Sequence, residues 1–191
     1  MKKIIVILLF ATSCASLTNV TEEQTINKTL NSWHLAARQA QFQTYFDFFT
    51  DDAIFIGTDA TENWNKNNFM EFAKPYFDKG KAWNFKALER HIYFSNDLKT
   101  AWFDELLQTQ MKICRGSGVL VKTKQGWKIK HYVLSMTIPN ENTNEVLKIK
   151  APIEDDLIEK LQKKQLIFLN FRALFWSYYP NRTYVSNPNL V

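Results

Sequence analysis

Four side chains in this sequence, Asp59, Glu105, Arg115 and His131, combine residue type and position in a way that could do chemistry. An arginine receives an anionic or carbonyl oxygen, and a carboxylate or imidazole beside it moves a proton. In Cys114-Arg115-Gly116-Ser117-Gly118-Val119, strand alternation groups Arg115, Ser117 and Val119 against Cys114, Gly116 and Gly118. Taking the glycines as the side that a neighbouring element approaches turns Arg115 inward. In Trp127 to Met136 the lysines Lys128 and Lys130 mark one face as solvated, so His131 and Ser135 are expected on the inner one. Around Trp102 to Leu107 two settings are open, either Trp102 with Asp104 inside or Phe103 with Glu105 and Leu107 inside. We expect the second, which offers Glu105 as the charge that neutralises Arg115. Such a pair is either a brace for the fold or the polar end of a pocket. Asp59, followed by Thr61, either caps a loop or serves as a general base at a cavity mouth.

Other residues carry less. Trp64, Tyr76 and Trp83 have faces on which a flat ligand can stack, although aromatic residues in a small domain belong to the core by default. His34 sits beside Trp33 on a helix and reads as a packing histidine, and His91, between Arg90 and Ile92, as a cross-strand partner. Cys114 and Arg115 point to opposite sides of one strand, so no activated thiolate follows. One internal cysteine and three scattered histidines give no metal cluster, and there is no nucleophile motif, phosphate loop or dinucleotide fingerprint, hence no expected cofactor.

The elements that must position these groups are legible from periodicity. Ile26, Leu30, Trp33, Ala37 and Ala40 recur at helical spacing over Glu22 to Ala40, with Thr21 as N-cap. A short helix over Phe42 to Phe49 precedes a strand at Ala53 to Thr58. A further helix spans Asn65 to Asp78, which Pro75 bends or ends. Four strands follow, Phe85 to Phe94, Thr100 to Met111, Cys114 to Thr123 and Trp127 to Ile138, separated by turn signals and expected as an antiparallel meander. Helices first and strands after make an α+β fold, whose curling sheet leaves a pocket against its helices.

Taken together, Phe55-Ile56-Gly57-Thr58-Asp59-Ala60-Thr61-Glu62-Asn63-Trp64, Pro75-Tyr76-Phe77, Glu89-Arg90-His91, Ala101-Trp102-Phe103-Asp104-Glu105-Leu106, Cys114 to Leu120 and Gly126-Trp127-Lys128-Ile129 through Leu134-Ser135 resemble a SnoaL-like domain of the nuclear transport factor 2-like superfamily. The resemblance covers roughly Glu23 to Asn140. It implies a cone of curved mixed or antiparallel sheet with N-terminal helices on its concave face. The superfamily hosts isomerases, dehydratases, cyclases and members that only bind or assemble, so function has to come from the cavity.

The chain ends add location. Met1-Lys2-Lys3 and an apolar run through Phe10 lead into small residues and Cys14, a lipoprotein-type leader over 1–13 with lipidation at Cys14; cleavage after Ala15 is the alternative and would give a soluble exported protein. A polar tether is expected over 14–22 and the domain over 23–140. After it come a linker and amphipathic helix over 141–164, then an aromatic-rich tail over 165–191. That tail extends the helix, forms a contact with a second copy of the chain or lies in a membrane interface. Loss of Lys2 and Lys3 leaves 22 basic against 19 acidic residues, a dispersed net +3 that excludes nucleic acid as the expected partner. The expected function is binding of a small hydrophobic or aromatic molecule by an envelope-anchored domain. The alternative is a cofactor-independent isomerase, dehydratase or cyclase using Asp59, Glu105 or His131, with Arg115, Trp64, Tyr76 and Ser135 holding the ligand.

Overall fold

A computed structural model describes the backbone of residues 5–178 and the side chains of 20–167. The side chain of Cys14, most of the leader and the aromatic run from Phe168 onward lie outside the described side chains. Contacts divide the chain into two units, Met1–Thr137 and Ile138–Val191. Helices α1 (Ile5–Arg38), α2 (Phe42–Asp47) and α3 (Lys66–Asp78) accompany six strands, β1 (Phe49–Ile56), β2 (Asn63–Asn65), β3 (Lys86–Phe94), β4 (Thr100–Thr109), β5 (Lys112–Thr123) and β6 (Gly126–Met136). The second unit holds α4 (Thr143–Tyr178), on which exposed Leu147, Ile153 and Leu161 alternate with pairs such as Lys150–Glu154 at 3.0 Å. No described helix is long and apolar enough to cross a membrane.

The fold is α+β with a mixed sheet in the order β2-β1-β6-β5-β4-β3. The meander over β3 to β6 is antiparallel throughout. Its last strand then pairs parallel with β1, placing the two sequence-distant strands side by side. Some boundaries differ from the sequence reading. Thr21, expected as an N-cap, lies inside α1, where its carbonyl accepts from Thr25 Oγ1 at 2.9 Å. Pro75 does not stop α3, which starts where the Asn65 side chain accepts from Asn68 N–H at 2.9 Å and continues to Asp78. The amphipathic helix expected within 141–164 begins at Thr143 and runs on to Tyr178.

The core is aromatic because the stripe on α1 meets the strand faces that carry rings. Ile26, Leu30, Trp33 and Ala37 are each at most 1% exposed. Trp33 stands edge-on to Tyr132 at 4.8 Å and stacks on Tyr45 at 5.4 Å. Phe46, Phe49, Phe69, Phe77 and Phe103 fill the remaining concave space, each worth roughly 1.5–3 kcal/mol on burial. The deep end of the expected pocket is therefore occupied by side chains.

Two bulges decide which faces look inward. Between β5 and β6, Val119 pairs with His131 but Leu120 pairs with Ile129, leaving Lys130 unmatched. Between β3 and β4, Ala87 pairs with Leu107 but Glu89 pairs with Leu106, leaving Leu88 unmatched. Each extra residue reverses the alternation beyond it.

Candidate functional site

Glu105 lies on the inner face of β4, fully buried, with Phe103 and Leu107. Cross-strand register places Arg90 directly opposite it, and both Nε and Nη2 of Arg90 donate to Glu105 Oε2, at 2.9 and 2.7 Å. His34 Nε2, from α1, lies 2.9 Å from Glu105 Oε1, and the Tyr132 hydroxyl donates to the same oxygen at 3.1 Å. Arg90 Nη1 also donates to the side-chain oxygens of Asn27 and Asn31, each at 3.0 Å. Gly116, between Glu105 and Leu134 in the register, leaves the space through which the Tyr132 hydroxyl approaches. Burial pushes the Glu105 carboxyl up, but the hydrogen bond from His34 and the charges of His34 and Arg90 outweigh it and hold the group below its ordinary value. Tyr132 is driven well above the usual phenol range by burial and by the adjacent carboxylate. Both carboxylate oxygens are saturated, so this cluster braces α1 against β3, β4 and β6.

Open space begins where β1, β2, α3 and the segment before β3 meet. There an aromatic cleft of about 260 Å³ is bounded by Phe55, Trp64, Phe69, Phe72, Tyr76 and Trp83, with Leu134 and Met111 completing the apolar wall. The Phe69 ring lies nearly parallel to those of Phe55, Trp64 and Trp83, at interplanar angles of 16°, 14° and 16°. Trp64 stacks on Phe72 at 4.5 Å, and Phe72 and Tyr76 stand exposed at the rim. The strand β2 that carries Trp64 is held to β1 through the pair Phe55↔Trp64. The polar side chains in the lining are Thr58, Glu62 and Gln110. Glu62 lies over the backbone at Gly57, and its Oε2 accepts from Asp59 N–H at 3.1 Å. The open space beside these rings is lined mainly by apolar groups, as small-molecule sites are.

Of the residues singled out in the sequence, Trp64 and Tyr76 line this cleft, and Glu105 is buried in the network behind it. Arg115 is on the outer face instead, because the inner side of β5 is the Cys114, Gly116, Gly118 face. A Cβ at Gly118 would lie 2.6 Å from the His131 carbonyl oxygen and 2.8 Å from the Phe103 ring. The expected Arg115–Glu105 pair does not form; Arg115 is half-exposed and sits 3.7 Å from Asp104. The bulge at Lys130 turns Tyr132 and Leu134 inward in place of His131 and Ser135, and Ser135 is exposed. Asp59 caps its loop, its Oδ1 accepting from Thr61 N–H at 2.8 Å and from Thr61 Oγ1 at 2.5 Å. Those hydrogen bonds, the hydroxyl first, hold its carboxyl below the ordinary value. Sequence reasoning missed Arg90, hidden by the bulge at Leu88, and dismissed His34, although His34 falls one residue after Trp33 on the buried stripe of α1. Glu62 was passed over as a loop residue. Among the described residues no group of three or more histidine, cysteine or acidic side chains is placed to hold a metal.

Known structures share this architecture. An NTF2-like protein of unknown function from Pseudomonas putida KT2440 superposes with a TM-score of 0.54 at 12% identity, over 65% of this chain and 92% of its own. A domain of unknown function with a cystatin-like fold from Nostoc punctiforme PCC 73102 superposes with a TM-score of 0.57 at 16% identity, over 75% and 98%. At such identities the likeness is one of fold. No curated protein matches the sequence. The model of the SnoaL-like domain matches residues 26–139, the stretch that runs from the buried face of α1 through the end of β6, and the chain belongs to that family.

Proposed function

We propose that this chain is an exported, Cys14-lipidated protein whose SnoaL-like domain binds a small hydrophobic or aromatic molecule without converting it. The observation that carries the reading is the cleft: parallel rings from β1, β2 and α3 enclose about 260 Å³ of open space, while the buried acid and base are bound to one another behind them. A stacking platform binds flat apolar ligands through area and ring geometry. Export and anchoring rest on the leader residues and Cys14.

The test is a ligand-detected NMR screen of small aromatic compounds against the full chain and against Trp64→Leu. Hits that lose at least about fivefold in affinity in the variant support the cleft, and hits that bind the variant equally well place the site elsewhere. Anchoring is read separately, by metabolic labelling with a fatty-acid analogue. The tag should vanish in Cys14→Ala, and its persistence refutes lipidation at that residue.

A second reading, a cofactor-independent isomerase, dehydratase or cyclase, draws on one observation. His34 and Glu105 form an imidazole–carboxylate pair, and Phe85, 6.0 Å from the His34 ring, also lines the cleft. Conversion of a bound compound that disappears in His34→Gln while its affinity stays would establish that reading in place of simple binding.

A further inference from the structure

Cleft geometry also constrains the charge of what it holds. We propose that the ligand is an apolar organic cation, a tertiary or quaternary ammonium group on a small hydrocarbon or aromatic body, seated among the rings with its charge toward Glu62. The proposal rests on the cleft being a small-molecule site and names the class of molecule.

Three observations carry it. First, among the described residues Glu62 is the single ionisable acid or base lining the cleft apart from the phenol of Tyr76, and no lysine, arginine or histidine contributes to the wall. In a chain that carries net +3 once Lys2 and Lys3 are lost, this is a local inversion of sign. Second, the Glu62 carboxylate is underused. Its Oε2 accepts one backbone N–H, from Asp59, and no cation pairs with it among the described residues. Gly57, lacking a side chain, gives the Glu62 carboxylate the place over the strand that a Cβ would otherwise fill. Third, the walls are largely aromatic. A cation within about 6 Å of a tryptophan, tyrosine or phenylalanine face is attracted by the ring quadrupole, more strongly as solvent is excluded. Trp64, Phe72, Tyr76 and Trp83 bring four such rings together in one cluster lining the cleft, with neighbouring centroids 4.5 to 6.4 Å apart.

An anion would meet both the carboxylate and the negative ring faces, and a neutral ligand would leave the carboxylate facing apolar surface without compensation. Strongly hydrated cations such as free ammonium gain too little from the rings to give up their water. A methylated or otherwise alkylated ammonium suits both features, and the volume of about 260 Å³ limits it to roughly one ring or an equivalent alkyl body.

The test compares benzyltrimethylammonium with its uncharged carbon isostere, neopentylbenzene, and with phenylacetate, by ligand-detected NMR on the full chain. The cation should bind at least about tenfold tighter than the isostere, and phenylacetate weakest. Glu62→Gln keeps an acceptor for Asp59 N–H and should erase most of that preference. Its melting curve establishes that the domain is intact. Should that variant fail to fold, Glu62→Ala is measured in its place, and the same loss of the cation preference is expected. Equal or tighter binding of neopentylbenzene, or a cation preference that survives removal of the Glu62 charge, overturns the assignment while leaving a neutral-ligand cleft standing. Failure of all three probes, together with a blank aromatic screen, overturns the cleft as a binding site.

Discussion

Two glutamates, Glu62 and Glu105, separate the working surface of this domain from its scaffold. Glu105 is fully buried and receives hydrogen bonds from Arg90 and Tyr132 besides its contact with His34. Glu62 sits at the edge of open space with one backbone donor. A buried charge must be neutralised by the protein itself, so Glu105 has no capacity left for a ligand. A carboxylate at a cleft edge keeps part of its hydration and can exchange it for an incoming partner. Chemical identity is the same at both sites, and the number of internal partners decides which glutamate is free to meet a ligand.

The contrast is broken most strongly by truncating the buried side. Arg90→Met should lower unfolding stability by about 3–5 kcal/mol, because it leaves the Glu105 carboxylate buried without its principal cation. Glu62→Gln should shift it by no more than about 0.5 kcal/mol. Denaturant melts of the two variants read this directly, and a loss near 1 kcal/mol for Arg90→Met would show that water reaches the network.

Acid should sharpen the difference. The folded-state value of Glu105 lies below its ordinary value of 4.5, so its stabilising contribution is complete above the unfolded value and is lost as pH falls through the folded one. Stability measured from pH 6 down to pH 2 should fall steeply below about pH 4.5. In Glu105→Gln the slope in that window should be shallower. An unchanged slope would assign the acid sensitivity to surface carboxylates such as Glu22, whose partners Lys122 and Trp127 also hold it low.

The smallest effect belongs to the residue that sequence reading placed at the centre. Arg115 is half-exposed beside Asp104, and Arg115→Met should cost under about 1 kcal/mol and leave ligand affinity unchanged. A cost comparable to that of Arg90→Met would put Arg115 in the load path between strands after all.

Much of this could be read without coordinates. The α1 stripe, the order of helices before strands and the four-strand meander follow from residue spacing, because local periodicity and turn chemistry act over a few residues, while the family came from the resemblance of whole motifs. Trp64 and Tyr76 were legible as stacking candidates for the same reason, being large rings next to a loop and on a helix. Side-chain direction was legible only where the strands stayed regular. On β4, which pairs without a shift to β5, the inward set Phe103, Glu105 and Leu107 matches the alternation. On β6 and β3 one unpaired residue each, Lys130 and Leu88, reversed it and exchanged His131 and Ser135 for Tyr132 and Leu134, and brought Arg90 inside.

Sequence alone determined the inventory: an acidic, a basic and many aromatic side chains on elements of known type and order. Only the tertiary structure decided which of them meet. A bulge depends on the ladder formed with a strand many residues away, and the partner of a buried charge depends on which faces that ladder brings together. Glu105 found Arg90 across β3 and His34 from α1, 71 positions earlier in the chain. That pairing left Glu62, among the rings of β2 and α3, as the carboxylate open to something from outside.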